Sequence, residues 1–183
     1  MKVYAFMADG TEETECLAVA DVLVRGGVEV TLVSVSDKKE IVSSHGITVV
    51  CDAVIGGVDC SDADALFLPG GMPGTRNLAA CGRLADMLTD AARKGRRLAA
   101  ICAAPSVLGR LGLLIGRRAT CFPGFEGELT GAAYTGEGVV TDGNVTTARG
   151  LGYALDLGLE LLALLTTKDN AAHVKSAIQY DRV

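Results

Sequence analysis

The most informative segment of the chain reads Arg97-Leu98-Ala99-Ala100-Ile101-Cys102-Ala103-Ala104-Pro105-Ser106-Val107-Leu108. Residues 97–101 form an apolar run that predicts a buried strand, and the residues from Ala103 onward predict the start of a helix. Cys102 therefore falls at a strand-to-helix turn between small neighbours, as in a nucleophile elbow. The first amides of the helix would point at the sulfur and lower its pKa. The alternative is a cysteine that only fills space in the core.

Apolar runs alternate with amphipathic segments along the rest of the chain. We expect strands at residues 2–8, 29–35, 65–68 and 97–101, helices at 10–25, 84–94 and 152–165, hairpins around His45-Gly46 and Asp142-Gly143, and a polar last helix that contains His173. This order predicts an α/β protein with a mostly parallel sheet and helices on both faces. No linker interrupts it, so residues 1–183 are expected to form one domain.

The composition excludes several classes of protein. Hydrophobic residues make up 49% of the 183 residues and charged residues 21%, as in an ordinary globular protein. The net charge of -5 argues against a nucleic-acid-binding surface. The chain has no signal-peptide core, and its longest apolar stretch falls short of the ~20 residues that a membrane span needs. We therefore expect a cytoplasmic protein that does not contact membranes.

The six cysteines stand at irregular spacings, at positions 16, 51, 60, 81, 102 and 121. No pair has the spacing of metal ligands, so we expect no metal site. Without an export signal, disulfides are not expected either. Most of the six are therefore predicted to be free thiols that pack in the core.

Three predicted loops come together at the carboxyl ends of the strands, where ligands bind in folds of this type. They carry Glu15, the pair Gly70-Gly71 and Cys102. Bare amides at Gly70, Gly71 and Ala103 could hold an oxyanion, and Glu15 could carry a proton if burial raises its pKa. Alternatively, Glu15 only complements the helix dipole and the glycines only form a turn. No glycine pattern for a nucleotide is present.

Five motifs resemble a known family. They are Gly10-Thr11-Glu12-Glu13-Thr14-Glu15, Asp21-Val22-Leu23-Val24-Arg25-Gly26-Gly27-Val28, Leu68-Pro69-Gly70-Gly71, Ala99-Ala100-Ile101-Cys102-Ala103-Ala104-Pro105 and Ala148-Arg149-Gly150-Leu151-Gly152. In this order they resemble the ThiJ/PfpI superfamily, in the branch of bacterial YajL and the parkinsonism-associated protein deglycase. The resemblance covers essentially the whole chain.

This resemblance implies a flavodoxin-like three-layer sandwich, a homodimer, a reactive Cys102 and a protonated Glu15 hydrogen-bonded to it. The activities that it implies need no cofactor. They are the glutathione-independent conversion of methylglyoxal to lactate and the deglycation of early glyoxal adducts. Oxidation of the cysteine to sulfinate and chaperone-like behaviour are also attributed to relatives.

Two residues depart from patterns found elsewhere in the superfamily. The protease-like branch has a histidine directly after its cysteine, and this chain has Ala103 there, so a proteolytic Cys-His dyad is not expected. Many relatives have a histidine before a proline near the pocket, and this chain has Phe122. Glu15 is therefore left as the expected proton carrier.

The resemblance also points to residues that could line the pocket, namely Phe122, Arg25 and, from a partner subunit, His45. The alternative for His45 is a hairpin tip in water. The first helix spreads apolar and small residues around more of its surface than one core-facing stripe requires, which indicates a partner surface.

Two classes of function remain open from the sequence. In the first, the protein is a glyoxalase or deglycase in which Cys102 attacks a small 2-oxoaldehyde and Glu15 moves protons. In the second, it is a redox-responsive stress protein or chaperone in which Cys102 is oxidised. Both need a reactive thiol, so the residues alone do not separate them.

Overall fold

A seven-stranded sheet forms the centre of the computed structural model, which describes residues 1–181. The strands within the described residues are β1 (Lys2–Met7), β2 (Glu29–Ser34), β3 (Glu40–Val42), β4 (Thr48–Val50), β5 (Ala53–Val54), β6 (Ala65–Leu68), β7 (Arg97–Ile101), β8 (Arg118–Ala119), β9 (Ala133–Tyr134), β10 (Val139–Asp142) and β11 (Val145–Ala148). The central sheet has the order β10-β11-β7-β6-β1-β2-β5. All its neighbours pair in parallel except β10 and β11, which form a hairpin.

Helices cover both faces of this sheet. They are α1 (Glu13–Arg25), α2 (Gly74–Ala80), α3 (Gly82–Arg93), α4 (Pro105–Arg110), α5 (Ala154–Leu165) and α6 (Lys168–Ala177). Alternate residues of β1 show how the layers form, because successive side chains of a strand point to opposite faces. Val3 and Ala5 pack with α1 and α5, whereas Tyr4 and Phe6 pack with α2, α3 and α4. The expected three-layer flavodoxin-like sandwich is confirmed.

The hairpin of β3 and β4 lies outside the central sheet and contacts the loop that precedes α1. The amide of Gly10 donates to the carbonyl oxygen of Val42 at 2.8 Å, and the amide of Ser44 donates to that of Thr11 at 2.9 Å. The amide of Val42 in turn donates to Oδ1 of Asp9 at 2.8 Å. These bonds attach the hairpin to one side of the loop.

Several boundaries differ from the sequence-based prediction. The first helix begins at Glu13 and not at Gly10, because Gly10 has a left-handed φ of 81° and Glu12 has the extended backbone of an N-cap. The helix α5 begins at Ala154, after a short 3-10 turn. The short elements β5, β8, β9 and α2 were not predicted, since segments of this length carry little periodic signal.

The topology brings the ends of β1, β6 and β7 together. These three strands are neighbours in the sheet and run parallel, so the loops after them meet at one edge. Those loops lead to Glu15, Gly70 and Cys102, as the sequence predicts. Among residues 1–181, no helix combines the length and the apolar character that crossing a bilayer requires.

Candidate active site

Cys102 occupies the turn between β7 and α4 with a strained backbone. Its φ is 63°, in the left-handed region that costs a non-glycine residue about 1–3 kcal/mol. The turn is fixed on both sides, because the Cys102 amide donates to the carbonyl oxygen of Ala148 at 2.9 Å and its carbonyl oxygen accepts from the amide of Phe122 at 2.8 Å. The residue as a whole is partly exposed. This geometry is that of the predicted nucleophile elbow.

Glu15 lies in the first turn of α1 with only 1% of its surface exposed. Its Oε2 accepts a hydrogen bond from the amide of Gly70 at 2.9 Å, and its carboxyl group hydrogen-bonds with the Cys102 side chain. Burial raises the pKa of Glu15 to about 7, against the lowering effect of these two bonds. The negative charge of Glu12 raises it further. Glu15 is therefore poised to take and release a proton near neutral pH.

The sequence analysis predicted a lowered pKa for Cys102. This prediction is wrong when Glu15 is ionised. Burial, followed by the charge of Glu15 and the hydrogen bond to it, raises the pKa of Cys102 to about 12. The amides of Gly71 and Ala103 lower it, but by less. The helix α4 begins only at Pro105, so few amides reach the sulfur. Because the ionised form of either group disfavours ionisation of the other, the two groups titrate as a coupled pair.

The three predicted oxyanion residues have separate roles. The amides of Gly71 and Ala103 point at the sulfur of Cys102. The amide of Gly70 donates to Glu15. It is therefore not free to donate to an oxyanion, contrary to the prediction. Gly70 instead provides room, because a Cβ there would lie 2.6 Å from Cβ of Cys102 and 2.7 Å from Oε2 of Glu15.

The structure separates the predicted lining residues. Phe122 is beside the elbow, with 47% of its surface exposed and its ring close to Gly150. Arg25 does not line the pocket of its own chain, because it is the last residue of α1, ten residues or about 15 Å from Glu15. It forms an ion pair with Asp21, with Nε 2.6 Å from Oδ2.

His45 lies at the tip of the β3–β4 hairpin with most of its side chain exposed, and it contacts the start of α1. Its Nδ1 is 3.1 Å from Oε1 of Glu13 and 3.8 Å from Oε1 of Glu12. These three residues are the one group of potential metal ligands within residues 1–181, with ligand atoms within 4.8 Å of one another. The cysteine and histidine spacings used in the sequence analysis could not reveal it. The predicted approach of His45 to a partner's pocket stays a prediction.

The other five cysteines are free thiols, as is Cys102. Burial raises the pKa of Cys16, and it raises the pKa of Cys51, Cys60 and Cys121 to about 11. Within residues 1–181, the pKa values of these four thiols are raised by burial and nearby charges and not by a hydrogen bond to a carboxyl group. Cys102 is distinguished from them by its pairing with Glu15.

Sequence reasoning missed one residue that contacts this pair. Glu12 is the N-cap of α1, and its Oε2 accepts from the amide of Glu15 at 2.5 Å. The helix predicted over residues 10–25 includes Glu12. Glutamate is not among the residues preferred at an N-cap, so no local signal indicated this role.

Together, the sandwich and the elbow define a class of α/β proteins that hold a cysteine in a strained turn beside a buried carboxyl group. The family model described as DJ-1/PfpI family matches residues 1–164 of this chain. The chain belongs to this family, which confirms the resemblance noted from its motifs.

Individual relatives agree with this assignment. Protein DJ-1 homolog B of Arabidopsis thaliana is 37% identical over 97% of this chain, and this chain spans 41% of that protein's length. The glutathione-independent glyoxalase DJR-1.2 of Caenorhabditis elegans is 32% identical, over 86% of this chain and 84% of that protein. The structure of oxidized Toxoplasma gondii DJ-1 superposes with a TM-score of 0.95 at 31% identity, covering 99% of each chain.

Proposed function

We propose that this protein is a cofactor-free, cysteine-dependent glyoxalase or deglycase that acts on 2-oxoaldehydes such as methylglyoxal, or on their early adducts. The observation that carries the proposal is the hydrogen-bonded pair of Cys102 and Glu15, in which the carboxyl has a pKa of about 7. A general base works best with a pKa near the operating pH. The similarity to a nematode protein named as a glutathione-independent glyoxalase supports the same reaction.

In the first step, ionised Glu15 accepts the proton of the Cys102 thiol as the sulfur bonds to the aldehyde carbon. Such assistance is needed because the thiol pKa is raised to about 12 while Glu15 is ionised. The aldehyde oxygen gains the negative charge, and the amides that face the sulfur, those of Gly71 and Ala103, stabilise it. Transfer of the proton from Glu15 to this oxygen gives a hemithioacetal.

In the second step, Glu15 carries a proton between the two carbons of the substrate. Its carboxylate removes the proton from the carbon bonded to sulfur and gives it to the ketone oxygen, so that an enediol forms. It then takes the proton of the hydroxyl group on the carbon bonded to sulfur and gives it to the neighbouring carbon, which leaves a thioester of the 2-hydroxy acid on Cys102. Water then cleaves the carbon–sulfur bond, releasing lactate and restoring the thiol, so the net reaction adds one water to methylglyoxal.

The direct test measures lactate formation from methylglyoxal by the purified protein without glutathione. The wild type should turn over, and Cys102→Ala should not. Cys60→Ala is the matched control, because Cys60 is also a partly buried free thiol but lies outside the site. Equal turnover by the wild type and Cys102→Ala would remove the cysteine from the reaction.

A second function is favoured by the surroundings of the sulfur. Cys102 as a whole is partly exposed, and the Gly71 and Ala103 amides that point at its sulfur would also donate to the oxygens of a sulfinate. A similar fold is recorded for an oxidized relative. In this proposal Cys102 is the thiol of a redox-responsive stress protein or chaperone. Mass spectrometry after peroxide treatment tests it, since sulfinate should accumulate at Cys102 before any other cysteine.

We also propose that the protein works as a cytoplasmic homodimer that uses α1 and the β3–β4 hairpin. Both elements expose large apolar side chains: Leu17 is 41% exposed, Val24 57%, Val42 50% and Val50 63%. Exposed apolar groups on adjoining elements are typical of an interface between subunits. A partner of this kind would place a second chain close to His45.

A further inference from the structure

Three hydrogen bonds link Glu12, Glu15 and Gly70 in a closed ring. The amide of Glu15 donates to Oε2 of Glu12 at 2.5 Å. The amide of Gly70 donates to Oε2 of Glu15 at 2.9 Å. The ring closes where the amide of Glu12 donates to the carbonyl oxygen of Gly70 at 3.0 Å. Each residue therefore both donates and accepts, and the ring joins α1 to the loop after β6.

This ring is an expanded form of a common helix N-terminus. In a capping box, the side chain of the third helical residue returns to the N-cap amide. Here Glu15 occupies that third position, but its carboxyl turns instead to Gly70 and Cys102. The N-cap amide, which would otherwise lose its partner, bonds to Gly70. The helix thus keeps its terminal hydrogen bonds while Glu15 is released to the active site.

The ring leaves little freedom to the loop that carries Gly71. A Cβ at Gly71 would lie 2.3 Å from the amide nitrogen of Glu12 and 2.7 Å from the carbonyl oxygen of Gly10. The two backbones are therefore in direct contact at this point. A shift of Glu12 would move Gly71, whose amide points at the sulfur.

We propose that Glu12 is a positioning residue for the reaction at Cys102. Its carboxylate and amide fix Glu15 and the Gly70-Gly71 loop against the sulfur, although Glu12 itself does not contact the reacting atoms. The effect of Glu12 on kcat rests on the proposed glyoxalase function. Its effect on the reactivity of the Cys102 thiol does not depend on which substrate the protein uses.

The test compares two substitutions of Glu12. Glu12→Ala removes both the acceptor and the charge, and it should lower kcat for methylglyoxal by roughly 10- to 100-fold with little change in KM, because small misplacements of reacting groups have effects of this size. Glu12→Gln keeps an oxygen acceptor for the Glu15 amide, so it should restore most of kcat. Glu12→Ala should also slow the alkylation of Cys102 at neutral pH, because a displaced Glu15 no longer accepts the proton of the thiol, and Glu12→Gln should not.

Thr167→Ala is the matched control. Thr167 is the N-cap of α6, and its side chain accepts from the amide of Asn170 at 3.1 Å, away from the site. Its loss should lower the melting temperature, as the loss of an N-cap does. It should leave kcat, KM and the alkylation rate unchanged.

The outcomes separate a positioning role from a structural one. If Glu12→Ala lowers only the melting temperature, as Thr167→Ala does, Glu12 is a cap and the proposal is wrong. If Glu12→Ala does not fold, Glu12→Gly replaces it, since glycine is well tolerated at an N-cap and also lacks the acceptor. An unchanged rate of Cys102 alkylation in that variant then overturns the proposal, and a slower rate supports it. If the wild type does not convert methylglyoxal, the proposed function fails, and the alkylation rates still decide the role of Glu12.

Discussion

Replacing Glu15 by glutamine should separate what this carboxyl does to the stability of the fold from what it does in the reaction. Folding raises its pKa from the ordinary value of 4.5 to about 7. The folded state therefore binds the Glu15 proton more tightly than the unfolded state does. The resulting stabilisation is present below pH 4.5 and is lost as the pH rises through 7.

The magnitude follows from the two pKa values. Each pKa unit corresponds to about 1.4 kcal/mol, so a fully ionised Glu15 lowers the free energy of unfolding by about 3 kcal/mol. Glutamine has nearly the same shape and stays neutral at every pH. Glu15→Gln should therefore be more stable than the wild type, and its advantage should be about 2–3 kcal/mol larger at pH 8 than at pH 5. Methylglyoxal turnover should fall by about 10² or more, because proton transfer is lost.

Urea unfolding at pH 5 and pH 8, followed by circular dichroism, measures the stability, and lactate formation measures the activity. Glu40→Gln is the control, because Glu40 is an exposed residue of β3 and its loss should change stability little at either pH. An equal stability difference between Glu15→Gln and the wild type at the two pH values would refute the raised pKa. Near-normal turnover by folded Glu15→Gln would remove Glu15 from the mechanism.

Three further predictions concern the space around the site, the thiol and the assembly. Gly70→Ala should lower turnover about 100-fold, because its Cβ would lie 2.6 Å from that of Cys102, while Gly82→Ala, which meets nothing within 4 Å, should be neutral in the same assay. Alkylation followed by mass spectrometry should label Cys102 faster than Cys60 at neutral pH, although its pKa of about 12 is above the value of about 11 for Cys60, because ionised Glu15 accepts the proton as the sulfur reacts; equal rates would contradict the pairing. Light scattering should give twice the 18.8 kDa chain mass, and Val24→Asp, at a position that is 57% exposed, should halve it; an unaffected dimer would place the interface elsewhere.

The sequence predicted the central strands of the fold best. The bounds of β6 and β7 agree with the predicted residues 65–68 and 97–101, because strands buried on both faces are continuous apolar runs. The start of α1 was less predictable. Glu12 is a helix former placed at an N-cap, and only its contact with Gly70, far away in the chain, accounts for its extended backbone.

The candidate site was predictable where one local motif defines a residue. Cys102 follows from its small neighbours, and Glu15 follows from the helix start together with the family resemblance. The pair of His45 and Glu13 was not predictable, because the two residues are 32 positions apart and meet only through the hairpin. The direction of the Cys102 pKa was predicted wrongly, because local sequence shows the amides near the sulfur but not the burial that outweighs them.

The left-handed backbone of Cys102 has opposite consequences for the stability of the fold and for the chemistry of the site. At a φ of 63°, glycine is unstrained, whereas a residue with a Cβ is disfavoured by about 1–2 kcal/mol. Glycine at this position would relieve the strain and remove the sulfur together. The fold thus holds Cys102 in a conformation that lowers its own stability, as is typical of strained residues at functional sites.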